Sequence, residues 1–160
     1  MFIYTSLALN KSGITKLRKK PSYLRKENHS YTEQELANIA LVKRRIDAFS
    51  RHDIEESLSL LSDDVVDEDL GESTKHGKSE IRDEIRRYID TFPNLQWEIM
   101  NSIAHEDQVL LEIRGYGTRS DHPLDGGKPG SRVEFYVASI QHVSNGKVDH
   151  LRAYIVRQEL

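Results

Sequence analysis

The spacing of hydrophobic positions is mainly helical before residue 93 and changes to strand-like alternation after it. Thr32 and Glu35 have the spacing of a capping box, which predicts a helix from there to about Arg51. Asp53 repeats this capping logic and begins a predicted short second helix that includes Leu61 and ends at 63–64. A third helix, ended by Pro93, is predicted from apolar positions at helical intervals, namely Ile81, Ile85, Tyr88, Ile89 and Phe92.

Alternation of apolar and polar residues predicts four strands after the third helix, over residues 95–104, 108–118, 131–143 and 147–158. A brief earlier strand is predicted over 65–69, followed by a polar loop over 71–77. Asn145 and Gly146 are typical of a tight hairpin between the last two strands. Helices followed by an antiparallel run predict an α+β fold, in which a curved sheet is packed on three helices at one face.

Composition narrows the class of protein. The chain has 160 residues, of which 37% are apolar and none is cysteine, so we expect one compact soluble domain. The lack of cysteine excludes a disulfide scaffold, a zinc ribbon and a cysteine nucleophile. No apolar run approaches the roughly 20 residues that a bilayer-spanning helix needs. We therefore expect no membrane partner and a cytoplasmic location.

The charges are distributed unevenly. Residues 1–30 hold seven of the 23 Lys and Arg residues and one acid, Glu27, whereas the other 130 residues carry 16 basic and 25 acidic residues. We interpret residues 1–30 as a basic N-terminal extension and residues 31–160 as the folded domain. A flexible, solvated tail is the first interpretation of the extension, with a transit peptide, a membrane-surface anchor and nucleic-acid contact as alternatives. Because an acidic body repels phosphates, we expect no nucleic-acid partner.

Several short strings occur in an order and spacing that are similar to one family: AFSRHD at 48–53, LSDDV at 61–65, GKSEI at 77–81, FPNL at 92–95, IAHEDQV at 103–109, GSRVEF at 130–135 and NGKV at 145–148. Over about residues 36–158 the chain resembles the SnoaL-like polyketide cyclase branch of the nuclear-transport-factor-2-like superfamily, and more distantly the ketosteroid isomerases. The resemblance implies a cone-shaped sheet with an internal pocket. It leaves function open, because this scaffold hosts isomerases, dehydratases, cyclases, epoxide hydrolases and non-catalytic domains.

The resemblance also implies two candidate catalytic residues. Asp69 falls where similar ketosteroid isomerases carry their carboxylate base, and burial in an apolar pocket would raise its pKa toward neutrality. His142 lies at a position similar to a family active-site histidine; the alternative is a solvent-exposed histidine at a hairpin end. The five acids within 63–69 lack the order of a calcium loop, so we expect no metal and no cofactor.

The chain departs from the family patterns at three positions. Arg45 stands where the isomerases have a phenol, Ile140 approximately where they have a second carboxylic acid, and Val156 near the position of a cyclase aspartate. Without those donors a dienolate oxyanion would lack its hydrogen bonds, which argues against steroid isomerisation. These departures favour, as the alternative to an enzyme, a non-catalytic ligand-sensing or dimerisation domain.

Strand alternation divides the residues of each strand into two sets, and on the last strand the resemblance of Leu151-Arg152-Ala153 to the isomerases implies that the apolar set faces the pocket. The candidate pocket residues are Leu111, Ile113, Ala153 and Ile155, together with His122 in a loop that covers the pocket mouth and Trp97, for which a core or interface position is the first interpretation. Arg152 and Tyr154 would lie on the outer face, where family members pair as homodimers. The function predicted is binding of a small hydrophobic carbonyl compound. The catalytic form of this hypothesis is cofactor-independent isomerase, cyclase or dehydratase-type (lyase) proton transfer, with Asp69 and His142 in one cavity.

Overall fold

The computed structural model describes residues 30–160, so the predicted basic extension lies outside the described residues apart from Ser30. None of the helices in this part of the chain is both long enough and apolar enough to cross a membrane. The elements are α1 (Glu33–Ser50), α2 (Ile54–Ser59), β1 (Leu61–Asp69), β2 (Lys75–His76), α3 (Gly77–Thr91), β3 (Gln96–His105), β4 (Gln108–Thr118), β5 (Arg132–Ser144) and β6 (Lys147–Glu159).

The six strands form one curved, unclosed sheet in the order β2-β1-β6-β5-β4-β3. All neighbouring strands are antiparallel except β1 and β6, which run parallel. Odd-numbered residues of β4 and β5, such as Val109, Leu111, Phe135 and Val137, are buried on the inner face. The inner face packs against α1 and α3, and this contact forms the hydrophobic core. The predicted α+β fold is therefore confirmed.

The local signals that predicted the first helix and the last hairpin are confirmed. The Thr32 amide donates to Glu35 Oε2 at 2.8 Å, and the Glu35 amide donates to Thr32 Oγ1 at 3.2 Å, which completes the capping box. Asn145 and Gly146 have φ values of 52° and 69° between β5 and β6. Positive φ at both central residues is the conformation that an Asn-Gly hairpin turn needs.

Two element assignments were wrong, both near β1. Leu61 begins this strand rather than extending α2, because the Leu60 carbonyl accepts a hydrogen bond from the Val148 amide at 2.9 Å and Leu61 pairs with Val148. The predicted loop over 71–77 contains β2, whose Lys75 pairs with Asp67. In both cases a pairing that is distant in sequence or only two residues long leaves no local periodic signal.

A glycine on β4 makes room for the tryptophan on β3. Gly115 is the cross-strand partner of Trp97, and a Cβ added at Gly115 would collide with the six-membered ring of the indole. The indole also lies near two phenylalanine rings, with centroid distances of 5.8 Å to Phe49 and 5.5 Å to Phe135. The absence of a side chain at Gly115 thus fixes where the indole can lie.

We expect Gly115→Ala to lower the free energy of unfolding by about 1–3 kcal/mol, because the added methyl group overpacks the core. Glu112→Ala, at an exposed position on the same strand, should change it by less than about 0.5 kcal/mol. Urea denaturation measures both. In a Trp97→Leu background the cost of Gly115→Ala should largely disappear, and an undiminished cost would contradict the proposed collision.

Candidate functional site

A cavity of about 100 Å³ lies between the inner face of the sheet and helices α1 and α3. Most of its walls are aliphatic or aromatic, and its charged members come from α1, β1 and α3. It is lined by Arg45, Ile46, Phe49, Asp67, Asp69, Ile81, Glu84, Ile85, Tyr88, Trp97, Ile113, Val137, Ser139, Leu151, Ala153 and Ile155. Charged groups in such a mainly apolar enclosure are the usual mark of a ligand site.

Two carboxyl groups enter the cavity from β1 because alternate residues of a strand share a face. Val65 is fully buried, and Asp67 and Asp69 continue the same face toward the end of the strand. Parallel pairing holds Asp67 beside Leu151 and Asp69 beside Ala153 on β6. The pairing with β6 therefore places two acids on the inner side of the sheet, among apolar neighbours.

The pKa of Asp69 is raised to about 7. Burial is the largest cause, followed by the negative charge of Asp67; Lys75 acts in the opposite direction, and the charges of Glu72 and Glu84 add to the increase. A carboxyl group with this pKa exists in both protonation states near neutral pH. It can therefore accept a proton and return it.

Arg45 brings a positive charge to the opposite wall of the cavity. Its Nε donates to Gln141 Oε1 at 3.3 Å, and Gln141 Nε2 donates to Ser139 Oγ at 3.3 Å. Burial lowers the pKa of Arg45, whereas the charges of Asp67 and Asp69 oppose this effect. Burial likewise raises the pKa of Asp67, and Arg45 is the first of the charges that counteract it. The two acids and the guanidinium thus form one electrostatic group.

Two further hydrogen-bond donors belong to cavity-lining side chains. The Tyr88 hydroxyl and Trp97 Nε1 are buried polar atoms without a hydrogen-bond partner within the described residues. Burial, and then the charges of Glu72 and Asp69, raise the pKa of Tyr88 to about 12, so its hydroxyl stays protonated. Buried polar atoms normally have a partner. These two donors can therefore serve acceptor oxygens of a bound molecule.

Carboxylate oxygens of Asp69, Glu72 and Glu84 lie within 4.8 Å of one another, a spacing that could hold a metal ion. Lys75 Nζ lies 3.3 Å from Glu72 Oε2 and 3.7 Å from Glu84 Oε2. This buried ammonium already supplies positive charge to two of the three acids. The absence of a metal in the functional protein stays a prediction.

His142 does not share the cavity with Asp69, so the expectation that the two side chains line one cavity was wrong. His142 Nδ1 lies 2.5 Å from Asp149 Oδ1 and its Nε2 lies 3.0 Å from Asp107 Oδ2. Hydrogen bonding to Asp149, the largest cause, raises the pKa of His142. Through its contact with Asp107, His142 links the β3–β4 turn to the β5–β6 hairpin. Inward positions on β5 are odd-numbered, so the strand pattern already contained the signal that this even-numbered residue faces outward.

The other predicted pocket residues fall into two groups. Trp97, Ile113, Ala153 and Ile155 line the cavity, whereas the two that do not line it are Leu111, which is fully buried in the core, and His122, which is exposed on the loop after β4. Their ligand contacts stay a prediction. Four ionisable residues are among the cavity residues that the sequence interpretation did not assign to the pocket: Arg45 was taken as the loss of a phenol, Tyr88 as an apolar core position, and Asp67 and Glu84 had no assigned site.

Comparison with known proteins identifies a family and a shared fold. The SnoaL-like domain family matches residues 42–151, and no curated protein matches the chain. A protein from Jannaschia sp. CCS1 assigned as a SnoaL-like polyketide cyclase superimposes with a TM-score of 0.73 at 15% identity, covering 79% of this chain and 90% of that one. An LEH-like epoxide hydrolase from M. tuberculosis superimposes with a TM-score of 0.64 at 22% identity, covering 76% of this chain and 84% of that one. SalBIII, an epoxide hydrolase/cyclase-like enzyme with a role in pyran ring formation in salinomycin, superimposes with a TM-score of 0.69 at 15% identity. The match covers 81% of this chain and 100% of that one.

We expect Asp69→Asn to raise the free energy of unfolding at pH 8 by about 1–2 kcal/mol, a value discounted for the partial exposure of the carboxyl group. The pKa of Asp69 is about 7 in the folded chain and about 4 in an unfolded one, so the folded state binds more protons between these values. The stability due to this group is therefore fully present below about pH 4 and is lost as the pH rises from 4 through 7.

Urea denaturation from pH 4 to 8 tests this expectation. The gain from Asp69→Asn should shrink as pH falls, and Asp64→Asn, at an exposed position on the same strand, should change the free energy of unfolding by less than about 0.5 kcal/mol. A gain that is absent at pH 8 would mean that burial does not disfavour the Asp69 carboxylate.

Proposed function

The chain belongs to the SnoaL-like domain family, and on that premise we propose that its cavity binds a small hydrophobic carbonyl compound, in which Asp69 transfers a proton. One observation carries the proposal: a carboxyl group with a pKa of about 7 lies in a cavity walled mainly by aliphatic and aromatic side chains. The apolar walls suit a hydrophobic ligand. The carboxyl group suits a step that needs a base near neutral pH.

In the proposed step, the ionised Asp69 carboxylate takes a proton from the carbon next to the carbonyl group. The C–H bond breaks, a new O–H bond forms on Asp69, and the electron pair moves into an enolate whose negative charge lies on the former carbonyl oxygen. Returning the proton to another atom of the same molecule completes the reaction and restores Asp69 to its starting state. This cycle consumes no further reactant.

The enolate oxygen needs donors, and the cavity contains three candidates. The guanidinium of Arg45 adds a positive charge that becomes more favourable as the enolate forms. The Tyr88 hydroxyl and Trp97 Nε1 are buried donors with free hydrogen-bonding capacity within the described residues. Arg45 therefore replaces, in this proposal, the phenol that the ketosteroid isomerases have at the corresponding position.

Isomerase, cyclase and dehydratase-type reactions can all begin with this proton transfer, and the proposal extends to that shared step. Support comes from the structural neighbours that are named for cyclase and epoxide hydrolase chemistry.

A non-catalytic ligand-sensing domain is the second candidate. The observation in its favour is that His142, the acid or base expected beside Asp69, belongs to a separate cluster with Asp107 and Asp149.

A second copy of the chain is the partner that we assign to the outer face of the sheet. Tyr136, Tyr154 and Val156 are 45%, 42% and 65% exposed, and strand pairing makes Tyr136 and Val156 direct neighbours. Exposed apolar residues clustered on one face are typical of an interaction surface. An isologous homodimer would cover this patch on both copies at once.

Exchange of carbonyl α-protons in D₂O tests the proposed proton transfer. A panel of small hydrophobic ketones is incubated with the protein, and loss of the α-proton signal is followed by NMR. For a ketone that binds, we expect the exchange rate to rise with pH up to about 7 and then level off, because Asp69 must be ionised.

Asp69→Asn should slow this exchange by about 100-fold or more while the ketone still binds, whereas Asp64→Asn should leave the rate unchanged. Binding of ketones without any exchange would favour the ligand-sensing alternative. Exchange that survives in Asp69→Asn would remove Asp69 from the reaction.

Light scattering coupled to size-exclusion chromatography tests the proposed dimer. We expect the parent to elute with twice the chain mass, and Val156→Asp to shift it toward the monomer, because a carboxylate would be buried in the interface. Leu36→Asp is the matched control, since Leu36 is a similarly exposed apolar residue on α1. A monomeric parent, or a dimer that persists in Val156→Asp, would contradict the assignment.

A further inference from the structure

Lys75 is a buried lysine beside the proposed proton-transfer site. It pairs with Asp67 across β1 and β2, so both side chains leave the sheet on the same face. Only 8% of the Lys75 side chain is exposed. The backbone pairing therefore places the ammonium group of Lys75 on the inner face, next to the carboxyl groups of the cavity.

Lys75 and Arg87 hold Glu72 and Glu84 from two sides. Lys75 Nζ lies 3.3 Å from Glu72 and 3.7 Å from Glu84, whereas Arg87 Nη2 lies 3.0 Å from Glu72 and 2.6 Å from Glu84. The Arg87 side chain is 50% exposed. Lys75 is thus the inner cation of a four-membered ion-pair ring, and Arg87 is the outer one.

Asp69 connects this ring to the cavity. Its carboxylate lies within 4.8 Å of those of Glu72 and Glu84, and Glu84 lines the cavity as well. Three carboxylates at this spacing repel one another unless they take up protons or surround a cation. A buried ammonium that contacts two of them is such a cation.

We propose that Lys75 is a positioning residue for Asp69, and that its buried ammonium takes the place of a metal ion among the carboxylates of Asp69, Glu72 and Glu84. The inference rests on the proposed role of Asp69 as the base. The ammonium that pairs with Glu72 and Glu84 beside Asp69 is a charge that belongs to the chain itself, so the base does not depend on the supply of a metal.

The electrostatic effects on Asp69 agree with this geometry. The charges of Asp67, Glu72 and Glu84 raise the pKa of Asp69, and the charge of Lys75 lowers it. Removal of Lys75 would leave three acids acting on Asp69 without their inner counter-charge. Asp69 would then stay protonated to higher pH and would be a less available base at neutral pH.

NMR titration of ¹³C-carboxyl-labelled aspartate tests the proposal without any substrate. We expect Lys75→Met to raise the titration midpoint of Asp69 by about one pH unit, the effect of removing one nearby charge from a partly buried site. Lys75→Arg should keep the midpoint within a few tenths of a unit of the parent. Lys78→Met is the matched control, because Lys78 forms an exposed ion pair with Asp63 at 2.7 Å.

Added Mn²⁺ gives a second readout on the same samples. It should broaden the Asp69 carboxyl signal in Lys75→Met but not in the parent, because only the variant has three carboxylates without their inner cation. If Lys75→Met does not fold, the ¹⁵Nζ signal of Lys75 in the parent should instead move with the midpoint of Asp69. An unshifted Asp69 midpoint in folded Lys75→Met would overturn the proposal. So would a ¹⁵Nζ signal of Lys75 that does not change at the pH where Asp69 titrates.

These outcomes separate the two hypotheses. If the Asp69 midpoint shifts but no ketone exchanges its protons, Lys75 does position Asp69 and the proposed function is wrong. If ketones exchange through Asp69 but Lys75→Met leaves the midpoint unchanged, the function stands and Lys75 has only a structural role.

Discussion

A carboxyl group inside an apolar cavity loses its hydration, and it keeps its charge only as far as nearby cations compensate that loss. Asp69 is in this position at the end of β1. The negative charge of Asp67 raises the pKa of Asp69, and the positive charge of Lys75 lowers it. Arg45, on the opposite wall, offsets the charge of Asp67. The resulting pKa of about 7 depends on the parallel pairing of β1 with β6 and on the two-residue strand β2. The chemistry of the cavity is therefore a consequence of the sheet topology.

The same burial that prepares Asp69 for proton transfer works against the stability of the fold. Aromatic packing stabilises the fold beside the cavity: the Phe92 and Phe135 rings meet edge to face at 5.2 Å, and Phe135 lies 5.5 Å from the indole of Trp97, which needs Gly115 in order to fit. This balance is common at functional sites, where strain and buried charge are retained at some expense of stability.

The two faces of the sheet have different roles, although both are rich in charge. On the outer face, ionisable residues form partly exposed pairs: His142 with Asp107 and Asp149, and Glu68 with His150 and Arg152. Such pairs contribute little to stability, and water screens them. On the inner face, burial is the largest cause of the raised pKa values of Asp67 and Asp69, whereas on the outer face hydrogen bonding is the largest cause of the raised pKa of His142. Because alternate residues of a strand point to opposite faces, the position of an ionisable residue along the strand decides whether it joins a surface ion pair or enters the cavity.

The sequence by itself determined the helices, the long strands and the inward set that includes Ile113, Ala153 and Ile155, because caps and spacing depend only on near neighbours along the chain. It also pointed to Asp69, through a family resemblance. The alternation along β5 also contained the signal that His142 faces outward, whereas only the tertiary structure decided that Arg45, Tyr88 and Lys75 lie around Asp69. Those placements depend on strand register and on the packing of α1 and α3 against the sheet. Proximity between residues far apart in sequence, and the pKa shifts that follow from it, have no local signal.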